Sequence, residues 1–280
     1  MRGDAGCPVR VRFSKHGKVR FVGHRDLARG FERAFRVAEL PLAFSQGFSP
    51  RPKVSLGLAL GVGYESDAEY LDLELVEPVH LGSLPDALGE ALPDGVVVDG
   101  AVQLTARAPS LQESVTTVEY HLRPAGLRGE HLADAVEHAL AARELPVETT
   151  RKGRSVVEDL RPGIRHLELL DDQSVQVELA TKPRGIRPAE LLGALHDLLE
   201  CPRGVGEDRV LRTRQWIERD GARHEPLAAD RASRASDDAR ATSKGLIDVG
   251  RPDDRHTEPP DPGCAGEPVG AAAGPTGRIA

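Results

Sequence analysis

The feature that most constrains this 280-residue chain is an order of apolar periodicities that runs through twice. Alternation at every second residue marks strands, and apolar residues spaced by three and four mark helices lying on a sheet. In the first half Val9, Val11 and Phe13 alternate, and a short segment around Val19 and Phe21 leads into a helix over 24–40. Strands are expected near 41–44, 53–59 and 68–76, then a helix near 81–92 and a strand near 96–104. The second half offers a strand near 117–122, a helix near 129–142 and strands near 146–150, 164–170 and 174–180. A helix opened by Arg187-Pro188 and running to about residue 200 follows, since proline suits a first helical turn, and a strand near 210–217 closes the unit.

Each half thus approximates β-α-β-β-α-β, the split βαβ order of ferredoxin-like domains. The expected fold is α+β, with two tandem ferredoxin-like domains side by side at 1–106 and 114–217, joined by a linker near 107–114. From residue 218 onward there is no Phe, Tyr or Trp, and Gly, Pro, Ala, Asp and Arg dominate. Such a stretch buries too little apolar surface to offset the entropy of ordering it, so 218–280 is expected to be a disordered tail.

Charge is distributed unevenly. Residues 1–60 hold 12 Lys and Arg against 4 Asp and Glu, a balance of +8, while the whole chain carries −7 and the remainder therefore −15. That asymmetry points to a polyanion partner or, more plainly, to a solvated face. No apolar run is long enough to cross a bilayer and the N-terminus has no signal-peptide core, so a cytoplasmic protein with no membrane contact is expected. Cys7, Cys201 and Cys264 stand far apart, without the close pairs that disulfide frameworks and cysteine metal sites use.

Within HRDLARGFERAFRVAEL, Leu27, Phe31, Ala34, Phe35 and Ala38 form the buried stripe of a helix. Arg25, Arg29, Arg33 and Arg36 recur at nearly the same period on the other side, with Glu32 the one acid placed to soften them. Like charges one turn apart repel by a few tenths of a kcal/mol, about 0.2–0.5 per pair, which a bound anion relieves. Guanidinium groups also grip phosphate in two places. The segment SQGFSPRPKVS adds Arg51 and Lys53, and its prolines Pro50 and Pro52 keep the backbone extended. Ser45, Gln46, Phe48 and Ser49 there are the residue types that meet phosphate, sugar and unstacked bases of single-stranded RNA, although a hairpin connection with Phe48 plugging the core is an equal reading. Arg10 and Arg12 alternate opposite Asp72 and Glu74 and are assigned to cross-sheet pairing. Arg212, Arg214 and Trp216 form a second outward row, suited to nucleic acid or to a contact between domains.

Catalytic signals are sparse. Glycines in GLALGVG, 57–63, lack the Lys-Ser or Lys-Thr of a phosphate loop and read as a tight turn between strands. No HExxH, GxSxG or ligand-spaced carboxylate cluster appears, so neither a metal nor another cofactor is expected. His24, where a strand meets the arginine helix, is the one candidate general acid or base toward a bound RNA, against a plain role in capping or packing.

The run from Val9 to Leu75, with FSKHGKVRFVGHRDL and PLAFSQGFSPRPKVS as its telling pieces, resembles the start of the radical-SAM-linked domain of unknown function. The likeness continues more loosely through RKGRSVVEDLRPGI and GIRPAELL. It implies an accessory partner of a separate radical S-adenosylmethionine enzyme, and it transfers no activity and no functional residue. At fold level, paired ferredoxin-like domains are similar to RNA-processing endonucleases of CRISPR systems, some of which place a histidine near the first helix. The resulting expectation is an RNA-binding accessory protein with Arg25, Arg29, Arg33, Arg36, Arg51 and Lys53 as phosphate contacts. The alternatives are a metal-independent ribonuclease using His24 and a module that docks an acidic protein partner.

Overall fold

A computed structural model describes residues 6–105, 108–151, 153–199 and 206–245. The chain runs β1 (Cys7–Lys15), α1 (His24–Val37), β2 (Val54–Leu56), β3 (Glu65–Leu75), α2 (Leu84–Gly89), β4 (Val96–Gln103), α3 (Leu111–Ser114) and β5 (Thr117–Arg123). It continues with α4 (Gly129–Ala141), β6 (Pro146–Arg151), β7 (Arg154–Asp159), β8 (Ile164–Asp171), β9 (Ser174–Ala180), α5 (Pro188–Asp197), β10 (Arg209–Arg219), β11 (Ala222–His224) and α6 (Pro226–Gly245).

The result is a mixed α/β structure around one large sheet. Its order is β4-β1-β3-β10-β5-β9-β8, with β2 and β11 added alongside β3 and β10, while β6 and β7 pair only with each other. The two halves therefore share a sheet instead of forming separate ones. They meet where β10 runs parallel to β3, Leu211 opposite Glu65 and Arg212 opposite Ser66. The described residues up to 240 form one compact unit, and the segment expected to link two domains folds partly into α3. There Ser110 caps the helix through the Glu113 amide while Glu113 bonds back to Ser110.

Two apolar cores follow from the strand alternation. Val9, Val11 and Phe13 of β1 and Leu71 and Leu73 of β3 pack under α1 and α2, whose Leu27, Phe31, Phe35, Leu84 and Leu88 are buried. Phe13 meets Phe31 edge to face at 4.7 Å, a geometry that ring quadrupoles favour. The second core joins Val118, Tyr120 and Leu122 of β5 and Val175, Val177 and Leu179 of β9 to α4 and α5, and reaches Tyr70 and Leu227.

Several expectations need correction. Residues 41–44 make only isolated bridges, Leu42 to Leu75 and Phe44 to Pro52, because two nearby prolines withhold ladder donors. The expected strand near 146–150 is β6, which leaves the main sheet for a hairpin with β7. The expected tail does not begin at 218: β10 extends to Arg219, β11 turns back on it, and α6 carries buried Leu227, Ala229 and Asp230 onto the sheet. Proline at the start of α6 and the Glu225 carboxylate, which accepts the Ala228 N–H at 3.2 Å, secure its first turn. The remainder of that expectation, 246–280, lies outside the described residues.

Besides the apolar packing of Leu227 and Ala229, a buried ion pair ties α6 to the sheet. Arg10, 1% exposed, donates from Nε and Nη2 to both oxygens of Asp72 at 2.7 and 2.9 Å and from Nη1 to Asp230 at 2.9 Å. The assignment of Arg10 to structure thus agrees with the geometry. Arg12 does not reach Glu74; it lies 3.8 Å from Asp99 and donates to the Asp67 carbonyl.

Candidate functional site

Gly23 caps α1, and burial of Leu27, Phe31, Ala34 and Phe35 turns the arginines of that helix outward. Arg25, Arg29, Arg33 and Arg36 are all exposed. The loop after the helix is closed on itself: Ser45 N–H donates to the Arg51 carbonyl at 2.9 Å, and the Arg51 N–H to Ser45 Oγ at 3.0 Å. Gly47 at the turn has φ 133°, a left-handed value that glycine accepts without strain. This clip brings Arg51 back against α1, where Arg25, Ala28, Arg29, Glu32, Arg51 and Pro52 border one open depression of about 540 Å³. Phe48 stands fully exposed at the tip of the loop and does not plug the core.

The six expected phosphate contacts are therefore not equivalent. Arg25, Arg29 and Arg51 converge on the depression. Among the described residues no carboxylate lies within ion-pair distance of Arg25, Arg33 or Arg51. Arg29 shares itself with Asp26 at 3.0 Å, and Arg36 Nε donates to the Glu32 backbone carbonyl at 3.3 Å. Lys53 is committed elsewhere, with Nζ 2.9 Å from both oxygens of Glu74. That pairing removes Lys53 from the free cations, while the strand register, with Glu74 opposite Pro8 and Arg12 opposite Tyr70, keeps Glu74 out of reach of Arg12. His24 is exposed at the first turn of α1 and does not border the depression. His16, half-buried, meets Asp67 at 2.9 Å.

The row Arg212, Arg214, Trp216 is broken. A bulge in β10 sets Arg212 opposite Tyr120 and Arg214 opposite Glu119, so two β10 residues advance while β5 advances one. Arg214 and Trp216 keep one face, with Arg223 4.7 Å above the indole, and Arg212 turns inward to 2% exposure. There Nη1 donates to Glu69 at 2.8 Å and to the Leu58 carbonyl at 2.9 Å, while Nη2 donates to the Ala59 carbonyl at 3.0 Å and to Tyr120 Oη at 3.3 Å. GLALGVG is thus more than a turn: its carbonyls are anchored by an arginine from the other half of the chain. No feature of the sequence periodicity signals this, because a bulge leaves the spacing of residue types unchanged.

Residues 9–188 match the family described as "Uncharacterized protein conserved in bacteria (DUF2344)", and the chain belongs to it. A comparison with curated proteins gives no match. Among solved structures the chain is similar to one in the crystal structure of a Cbf5-Nop10-Gar1 complex, at 12% identity and a TM-score of 0.41. That likeness covers 76% of this chain and 50% of the other, so the chain spans about half the length of the solved chain it matches. Among the described residues no helix is long and apolar enough to cross a membrane.

Proposed function

We propose that this chain is a cytoplasmic RNA-binding accessory protein, without chemistry of its own, that serves a separate radical S-adenosylmethionine enzyme or RNA-processing machinery. The observation that carries the reading is the convergence of Arg25, Arg29 and Arg51 from two different segments on one depression. Three guanidinium groups with a single acid, Glu32, at the border offer a phosphate site in which Coulomb attraction outweighs local pairing. Arg33 and Arg36 extend the cationic stripe along α1, and Lys53 stays with Glu74. Phe48, held clear of the body by the Ser45–Arg51 clip, offers a ring on which an unstacked base rests, which favours single-stranded RNA over duplex. The radical-enzyme partnership rests on the sequence resemblance alone. We also read each half as a ferredoxin-like unit, a reading supported by the orders β4-β1-β3-β2 and β10-β5-β9-β8.

Retention on single-stranded RNA tests the site. Arg25→Glu with Arg51→Glu should abolish it and leave the thermal transition in place, because both side chains are exposed. Each lost phosphate contact should lower the salt slope of binding by about 1. Unchanged retention would refute the assignment.

A further inference from the structure

A different cavity, of about 400 Å³, lies on the far side of the anchored glycine loop. Leu58 and Leu60 of that loop, Val118 of β5, Leu179 of β9 and Ile186 ahead of α5 give it apolar walls. Its volume falls within the range of small-ligand pockets. Just two charged side chains line it, and both are cations: Arg187 at the exposed mouth and Arg212 at the floor.

Arg212 at the floor is paired with Glu69 at 2.8 Å, and a second buried cation, Lys15, stands behind it without lining the cavity. Arg212 and Lys15 are both buried, and Glu69 is the carboxylate whose charge acts on each of them. Burial pushes the Lys15 ammonium below its ordinary range, with Glu69 pulling the other way, and Lys15 is left to donate to the Arg20 and Val22 carbonyls. Two buried cations thus share one acid, an arrangement that a further anion in the same low-dielectric space would stabilise. Nη1 and Nη2 of Arg212 are occupied and its Nε, without an acceptor among the described residues, has no exposed surface, so an anion in the cavity would meet the charge of Arg212 and not a free donor.

The start of α5 sets the size of that anion. The Arg187 N–H already donates to Glu190 and the Glu190 N–H to the Arg187 carbonyl, while Pro188 has none, which leaves the Ala189 N–H. One backbone N–H is too few to cradle a phosphate. We propose that this pocket binds a small apolar carboxylic acid, its body against the leucine and valine walls and its carboxylate between Arg187 and Arg212. This site is independent of the RNA reading.

Titration calorimetry on the full chain with benzoate, indole-3-acetate and octanoate, each beside its neutral amide, tests this. At least one acid should bind about tenfold or more tightly than its amide, a gap of about 1.4 kcal/mol. Arg187→Ala should weaken that acid several-fold, and Ala189→Trp, which fills the mouth from an exposed position, should abolish binding with the thermal transition unmoved. The Arg25→Glu, Arg51→Glu variant should bind it as the wild type does. Absence of binding by all three acids, equal affinity for acid and amide, or undiminished binding in Ala189→Trp would overturn the proposal.

Discussion

Replacing Asp230 by alanine isolates the ionic part of what holds the last helix. Asp230 is 5% exposed, and its carboxylate takes one of the hydrogen bonds of a guanidinium that is itself fully buried. A hydrogen bond to a charged group is worth about 1.5–3 kcal/mol, and breaking a buried ion pair outright costs about 3–5 kcal/mol. The loss here should sit below that upper figure, because Asp72 still holds Arg10 through two contacts of 2.7 and 2.9 Å. Some cost is also returned: burial pushes the Asp230 carboxyl up against the pull of Arg10, so removing it relieves a desolvation penalty. About 2 kcal/mol is expected, read as a shift of the urea midpoint at constant slope. Trypsin should cut after Arg231 and Arg234 faster than in the wild type. A second variant, Arg10→Met with Asp230→Leu, should lose less than the sum of its single changes, since it leaves no lone charge on that side. A loss under about 0.5 kcal/mol for Asp230→Ala, with an unchanged cleavage pattern, would show that α6 is held by Leu227 and Ala229 alone and that the ionic argument is wrong.

Arg212→Met should cost about 3 kcal/mol in the same assay, the low end for a broken buried pair, because Lys15 still faces the stranded Glu69; a stabilised variant would contradict this. Gly95→Ala should cost about 2–4 kcal/mol, because the glycine has φ 92° and an added methyl would land on the His16 carbonyl oxygen. A wild-type midpoint would show that the turn yields freely. Tyr70 donates its hydroxyl to Glu225, and burial followed by the Glu225 charge raises its pKa well above the ordinary 10.0. A raised value stabilises fully below the unfolded value of 10.0 and is lost as pH climbs past it, so denaturation should show a steep alkaline fall that Tyr70→Phe flattens. Phe48→Ala should leave stability within about 0.5 kcal/mol and reduce RNA retention; full retention would remove the stacking role.

Local patterns were legible and long-range ones were not. The stripe Leu27, Phe31, Phe35 defined α1 and its outward arginines, and alternation in β1 and β3 placed Arg10 opposite Asp72, as found. Lys53 taking Glu74 depends on the route of the loop between them, which residue types do not specify. The bulge that buries Arg212 is set by how β10 fits β5, a tertiary matter. Composition misjudged 218–245 for a related reason. Alanine and arginine offer little apolar area, but helix propensity is high there, and Asp230 finds its partner 220 residues earlier in the chain. The arginine depression was half visible, since the helical spacing supplied Arg25 and Arg29 while only the clipped loop adds Arg51.

The parallel seam between β3 and β10 sets a limit on dissection. The family match ends at residue 188, the first residue of α5, yet the strand that fastens the two halves begins twenty-one positions later at Arg209. A fragment trimmed to the match would leave β5 with an open flank, Glu69 buried without its guanidinium, and Arg10 short of one acid. On a ribosome the same logic makes assembly a late event, with the two halves waiting for β10 to emerge before they lock.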